Sequence, residues 1–136
     1  MFRTDLRTSF VDERDLAVIN YLLAKKQRNN GKVVGYHGTS KARAKEIDQK
    51  GFTNYPCVEG IYGVHFHDDG HESNAHLHGQ DKARQDKCTE YSVIKAELDN
   101  PAPDLLMGRP QWHTTADKIK ILEIRHYLLK TEDVST

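Results

Sequence analysis

The chain has 136 residues, a formal net charge of zero with its eight histidines neutral, and 29% charged residues. This length suits one domain with its own core, and the balanced charge gives no electrostatic footprint for DNA or RNA. No run approaches the roughly 20 apolar residues of a membrane helix, the polar start Met1-Phe2-Arg3-Thr4-Asp5 lacks a secretory signal, and Cys57 and Cys88 lack the spacing of a disulfide scaffold or a zinc ribbon. A cytoplasmic, non-membrane protein is expected, or an effector delivered without a classical signal.

Residues 1–10 show no period and read as an arm or an edge strand. From about 11 to 29 the pattern is helical, with Leu16, Ile19, Tyr21, Leu22 and Leu23 on one broad apolar face. Acidic residues lead this helix and basic ones follow, as its dipole prefers. Asn29-Asn30-Gly31 is a turn, and 33–39 is a short buried strand. Ser40 is placed to cap a helix over 41–50, which Gly51 closes in the left-handed position. Residues 53–60 read as a loop and 61–67 as a second strand, broken by Asp68-Asp69-Gly70. From 71 to 87 the chain is polar, a weak helix or a loop. The clearest strand is 90–98. Residues 104–107 form a short strand, 108–110 a turn, Trp112-His113 falls in a loop, and 118–129 is the last strand. Helices early and several short strands later predict an α+β domain rather than a βαβ series.

Two stretches carry candidate chemistry. The first is Val33-Val34-Gly35-Tyr36-His37-Gly38-Thr39-Ser40, followed by its helix and Gly51-Phe52. It sets an imidazole and a hydroxyl beside a glycine whose missing Cβ lets a ligand approach the backbone. This order resembles the first motif of ADP-ribosyltransferases of the diphtheria-toxin and poly(ADP-ribose) polymerase type. The resemblance implies that His37 binds the NAD ribose, with Thr39 near it, and that the Gly38 backbone holds the nicotinamide amide.

The second stretch is Gly63-Val64-His65-Phe66-His67-Asp68, then Ser73-Asn74-Ala75-His76. It resembles the same family's Gly-aliphatic-Tyr-Phe-Ala-Asp strand and the Ser-x-Ser-Ala and stacking Tyr that follow. By that resemblance Phe66 and Ser73 belong to the NAD site, and His65 and His76 flank the nicotinamide ring where the family has Tyr. Tyr62, three residues before His65, substitutes for a lost Tyr only if the strand register shifts. A histidine also stacks, although a protonated imidazole repels the cationic ring.

The family's third element is a carboxylate, or Gln in variants, at the start of a late strand, where it stabilises the oxocarbenium-like transition state. Asp117, directly before Lys118-Ile119-Lys120-Ile121, is the first candidate. Asp104 is the second, since members that modify rifamycins carry an Asp in a comparable loop. Gln111 and Glu123 follow.

The resemblance therefore implies an ADP-ribosyltransferase-like split β-sandwich with short helices over 1–136, its NAD-cleft core spanning about 33–129. It also implies transfer of a single ADP-ribose from NAD to a protein side chain, a small molecule or a nucleic-acid end. His37, His65 and Asp117 would be catalytic. The first alternative is the same fold binding NAD, ADP-ribose or a protein without turnover. The second is a metal-binding protein built on the cluster His65, His67, Asp68, Asp69, His71, His76 and His78, although no established ligand spacing such as HExxH is present.

Overall fold

The computed structural model describes residues 12–53, 55–58, 61–106 and 108–130, and for 55–58, 61, 62 and 106 the backbone alone. The arm at 1–10 and the tail at 131–136 therefore lie outside the described residues. Helix α1 spans Glu13–Arg28, with Asp12 accepting from the Arg14 N–H at 2.8 Å as its cap. Strand β1 is Lys32–Ser40 and helix α2 is Lys41–Lys50. Ser40 caps α2 by accepting from the Arg43 N–H at 3.3 Å, and Gly51 ends it at φ +79°. Strands β2 (Tyr55–Val58) and β3 (Ile61–Asp68) follow. Helix α3 covers Glu72–Gln85 and strand β4 covers Glu90–Asp99. Strands β5 (Ala102–Leu106), β6 (Arg109–Thr114) and β7 (Ile119–Leu128) complete the described order.

The fold is α+β. Six strands run in the order β5-β6-β3-β1-β4-β7, every neighbour antiparallel, with β2 added on β3. β1 pairs with β4 along its whole length, from Lys32↔Asp99 to Ser40↔Tyr91. It pairs with β3 only at Gly35↔Asp68 and Tyr36↔His67. The expected split is thus a short joint in one continuous path. Beyond Tyr36 the backbone ladder stops, and the His37 Nδ1 lies 2.9 Å from the His65 carbonyl oxygen. The imidazole serves the acceptor that the missing ladder leaves over.

Alternate residues of β4 divide between two apolar clusters. Ile94, Ala96 and Leu98 join Leu22, Val33, Ala44, Ile47, Phe52, Val64, Phe66 and Trp112 in the main core beneath α1 and α2. Tyr91 and Val93 pack with Ala75 and Ala83 of α3. The apolar face of α1 is narrower than its sequence pattern suggests: Leu22 is buried with Val18 beside it, while Leu16, Tyr21 and Leu23 are exposed. No helix among the described residues is long and apolar enough to cross a membrane.

Helix α3 is the element the sequence indicates least clearly. It is held by small residues at helical spacing, Ala75, Gly79 and Ala83, all buried. They let the helix backbone descend onto β1. A Cβ on Gly38 would overlap the Ala75 carbonyl oxygen and lie 2.7 Å from the Gly79 nitrogen. Gly38 is therefore required by helix–strand packing, because the space its missing side chain leaves is filled by α3. Gly38→Ala is expected to destabilise the fold by about 3 kcal/mol, at the upper end for overpacking because backbone must move. Urea denaturation gives that number directly.

Candidate functional site

A cleft of about 550 Å³ opens beside the β1–β3 joint. Its walls come from β1 (His37, Gly38, Thr39), α2 (Arg43, Ile47), β3 (Gly63, Val64, His65, His67), α3 (His78, Lys82), β5 (Asp104, Leu105) and β6 (Gln111). The volume is in the range of small-molecule sites. The short joint explains its position. Where β1 and β3 cease to pair, consecutive residues of both strands border the same gap.

His37 sits at the base of this gap. Its ring meets Phe52 edge-on at 5.2 Å and Phe66 at 5.5 Å. Burial lowers its pKa to about 4, against the opposing pull of the His65 carbonyl. The ring is thus neutral at pH 7. A carbonyl only accepts, so Nδ1 carries the proton and Nε2 keeps a lone pair. His67 is also held near pKa 4, by burial first and then by His78 and His37. His78 is lowered by burial and by Lys82. The rings of His67 and His78 meet at 6.1 Å.

His65 forms a second arrangement. Its Nε2 donates to Asp104 Oδ2 at 2.9 Å, and its ring lies 4.7 Å from that of His113. Burial and the neighbouring His65 lower the pKa of His113. Gly63 leaves room for the His113 imidazole, which a Cβ there would strike. Arg43 and Lys82 supply positive charge. Arg43 is forked onto Asp86 at 2.7 and 3.1 Å, and Asp86 also accepts from Ser40 Oγ at 2.6 Å. Those donors, Arg43 foremost, depress the Asp86 carboxyl to about 2.

Of the residues expected at the site from sequence, His37, Gly38, Thr39 and His65 line the cleft together. Others do not. Phe66 is fully buried behind it, against Phe52. Ser73 is exposed on α3 and does not face the cleft. His76 points to the opposite side of α3, with Nδ1 2.9 Å from the Tyr91 hydroxyl, Nε2 3.1 Å from Glu72 Oε2, and its ring against Tyr127. The reason is helical phase: His78 and Lys82, one turn apart, face the cleft, and His76 lies off that stripe. Tyr62 belongs to β3, but its side chain lies outside the described residues.

Asp117 is exposed in the short turn Ala116–Lys118, bonded to Thr115 Oγ1 at 2.5 Å, and does not line the cleft. The late strand whose start opens on the cleft is β6, not β7, so Asp104 and Gln111 reach it instead. Glu123 lies on β7, ion-paired with Arg125 at 3.0 Å beside a separate hollow.

Arg43, His67, His78 and Lys82 are cleft residues outside the NAD set that the motifs imply, although the metal-binding alternative included His67 and His78. The i, i+4 pair His78 and Lys82 was the available signal, once α3 is accepted as a helix. The histidine cluster does not gather as one centre. His71 lies 3.7 Å from Asp68, His76 faces the tyrosines and the rest line the cleft. Among the described residues no group of three or more His, Cys, Asp or Glu side chains is placed to hold a metal ion.

No protein-family model matches the chain, and no curated protein or solved structure gives a match.

Proposed function

We propose that the cleft binds NAD and that the chain transfers a single ADP-ribose, on an ADP-ribosyltransferase-like fold. One observation carries this reading. The two stretches that resemble the family's motifs, at 37–39 and 63–67, form facing walls of one cleft, and two of the four candidates for the third element, Asp104 and Gln111, join them there.

The chemistry of the walls fits the ligand. His37 Nε2, with its lone pair, accepts from a ribose hydroxyl. Neutral His37, His67 and His78 spare the cationic nicotinamide ring the repulsion that protonated imidazoles would exert. Arg43 and Lys82 suit the pyrophosphate. Asp104 takes the part expected first of Asp117. Its carboxylate stabilises the positive charge that grows on the ribose as the bond from C1′ to the nicotinamide nitrogen breaks. The acceptor's lone pair then forms the new bond to C1′.

A second reading, retention of NAD without turnover, is favoured by the uncharged floor. Gln111 is neutral, and the Asp104 carboxylate is already engaged by His65.

The deciding experiment is nicotinamide release from NAD by the purified protein beside His37→Ala, Asp104→Asn and Asp117→Asn, with NAD-dependent melting shifts on each. Release is expected to fall about a hundredfold or more in His37→Ala and Asp104→Asn and to stay unchanged in Asp117→Asn. A melting shift without release selects retention. Neither shift nor release removes NAD, and loss in Asp117→Asn alone refutes the role of Asp104.

A further inference from the structure

The two edges of the sheet differ in how open they are to further pairing. The β5 edge is five residues long, carries Pro103 and has α1 beside it, with Lys26 Nζ donating to the Pro101 carbonyl at 3.0 Å. Shortness, a proline and a covering helix are means of closing an edge. The β7 edge is ten residues long, holds no proline and, among the described residues, pairs with β4 alone. Two of its large apolar side chains stand in water: Leu122 is 46% exposed and Leu128 75%. The outward N–H and C=O groups of such a strand are a template for another strand.

The charges of β7 select which strand fits. Glu123 and Arg125 are ion-paired at 3.0 Å on one face, and Ile124 between them packs against the main core on the other. When two identical strands pair antiparallel, residues set opposite each other share a face, so the two-fold axis passes through a residue. An axis through Glu123 opposes two carboxylates, and one through Arg125 opposes two guanidinium groups. An axis through Ile124 sets Glu123 against Arg125 of the second copy, twice by symmetry. Four charges of alternating sign then share one face, and the two Ile124 side chains meet on the other. That second face has room, since a hollow of about 350 Å³ lies between α2 and β7, with Ala44, Ile121 and Ile124 in its walls.

We infer that β7 is a homodimer interface, at which two copies pair antiparallel about Ile124 and join their sheets. The inference stands apart from the NAD reading. Strands β1 and β4 lie between β7 and β3, and no β7 residue lines the cleft.

The test is sedimentation velocity of the full chain, from the low to the high micromolar range, on the wild type, Glu123→Arg, Arg125→Glu and the double exchange. The two side chains are 45% and 65% exposed, so replacing them leaves the core in place. The wild type is expected to dimerise as its concentration rises. Each single exchange sets four like charges together and is expected to weaken association about tenfold or more. The double exchange returns opposite charges across the axis and is expected to restore the dimer. An ion pair that matters only within one chain predicts the same mass in all four proteins. A wild type that stays monomeric leaves the edge to a strand of a different protein and overturns the inference. A dimer that both single exchanges keep, or a loss that the double exchange does not repair, overturns it as well.

Discussion

Lys25→Met is expected to lower the free energy of unfolding by about 3–5 kcal/mol, more than Asp68→Asn does, although both break the same ion pair. Against a total of about 5–15 kcal/mol for a domain, this is a large share. Asp68 is fully buried at the end of β3. It accepts from Lys25 Nζ at 2.9 and 3.0 Å, from Tyr21 Oη at 3.1 Å and from Trp112 Nε1 at 3.3 Å. This knot ties α1 to the sheet, and Lys25 also reaches Asp69. The asymmetry comes from which charge is stranded. With Asp68 replaced, the Lys25 ammonium, 15% exposed, keeps Asp69 and some water. With Lys25 replaced, a buried carboxylate keeps, among the described residues, two neutral side-chain donors, Tyr21 and Trp112.

The pH dependence separates the two cases. In the native protein burial pushes the Asp68 carboxyl up, but Lys25, Trp112 and Tyr21 more than reverse this and hold it below 3.8. Its contribution is therefore complete above that value and is lost as the pH falls through the lower folded pKa. In Lys25→Met burial acts with less opposition and the folded pKa rises, so acidification toward that pKa should recover stability relative to wild type. Urea midpoints of the two proteins at pH 7 and pH 5 measure this. A Lys25→Met deficit that does not narrow at pH 5 would refute the account.

The legible parts of the fold were those whose residues carry their own local signal. Helix α1 shows a charge gradient and a periodic apolar face. Ser40 and Gly51 bracket α2, and β4 and β7 are long apolar runs. The bounds of these elements agree with the sequence reading within two residues. What was not legible depends on tertiary contact. Strand β2 lies in a stretch read as loop. Strand β6, Arg-Pro-Gln-Trp-His-Thr, has neither alternation nor β-branched enrichment, and becomes a strand because it pairs with β3 and β5 while Trp112 fills the core. That miss left the residues at the cleft misjudged. With β6 unseen, the late strand was β7 and Asp117 stood before it. With β6 in place, Gln111 and Asp104 open on the cleft. The misplacement of Ser73 and His76 has the same origin, since their phase was taken from a motif and α3 sets its own through Ala75, Gly79 and Ala83.

Stability is expected to fall as the pH drops from 6.5 toward 4, a window that belongs to the histidines of the cleft. His37 and His67 have folded pKa values of about 4 against 6.5 when exposed. Between those limits the unfolded chain binds protons that the folded chain refuses, so the free energy of unfolding rises with pH and is complete above 6.5. A fall from 6.5 to about 4 corresponds to about 3 kcal/mol for each ring. His37 lowers His67, so their protons are coupled and the combined slope approaches, without exceeding, about two protons. The carboxylates titrate elsewhere: the contribution of Asp68 is lost only below 3.8, and that of Asp86 between 3.8 and about 2.

His67→Gln should therefore flatten the dependence between pH 6.5 and 4.5 by about one proton and leave the lower limb unchanged. Urea midpoints across pH 4.5–7.5 measure this, and an unaltered slope would show that His67 is not buried neutral. The same neutrality is what the proposed ligand requires. A cleft that held these rings as imidazolium would repel a nicotinamide cation, so the residues that make the fold acid-labile are those that make the cleft compatible with NAD at pH 7.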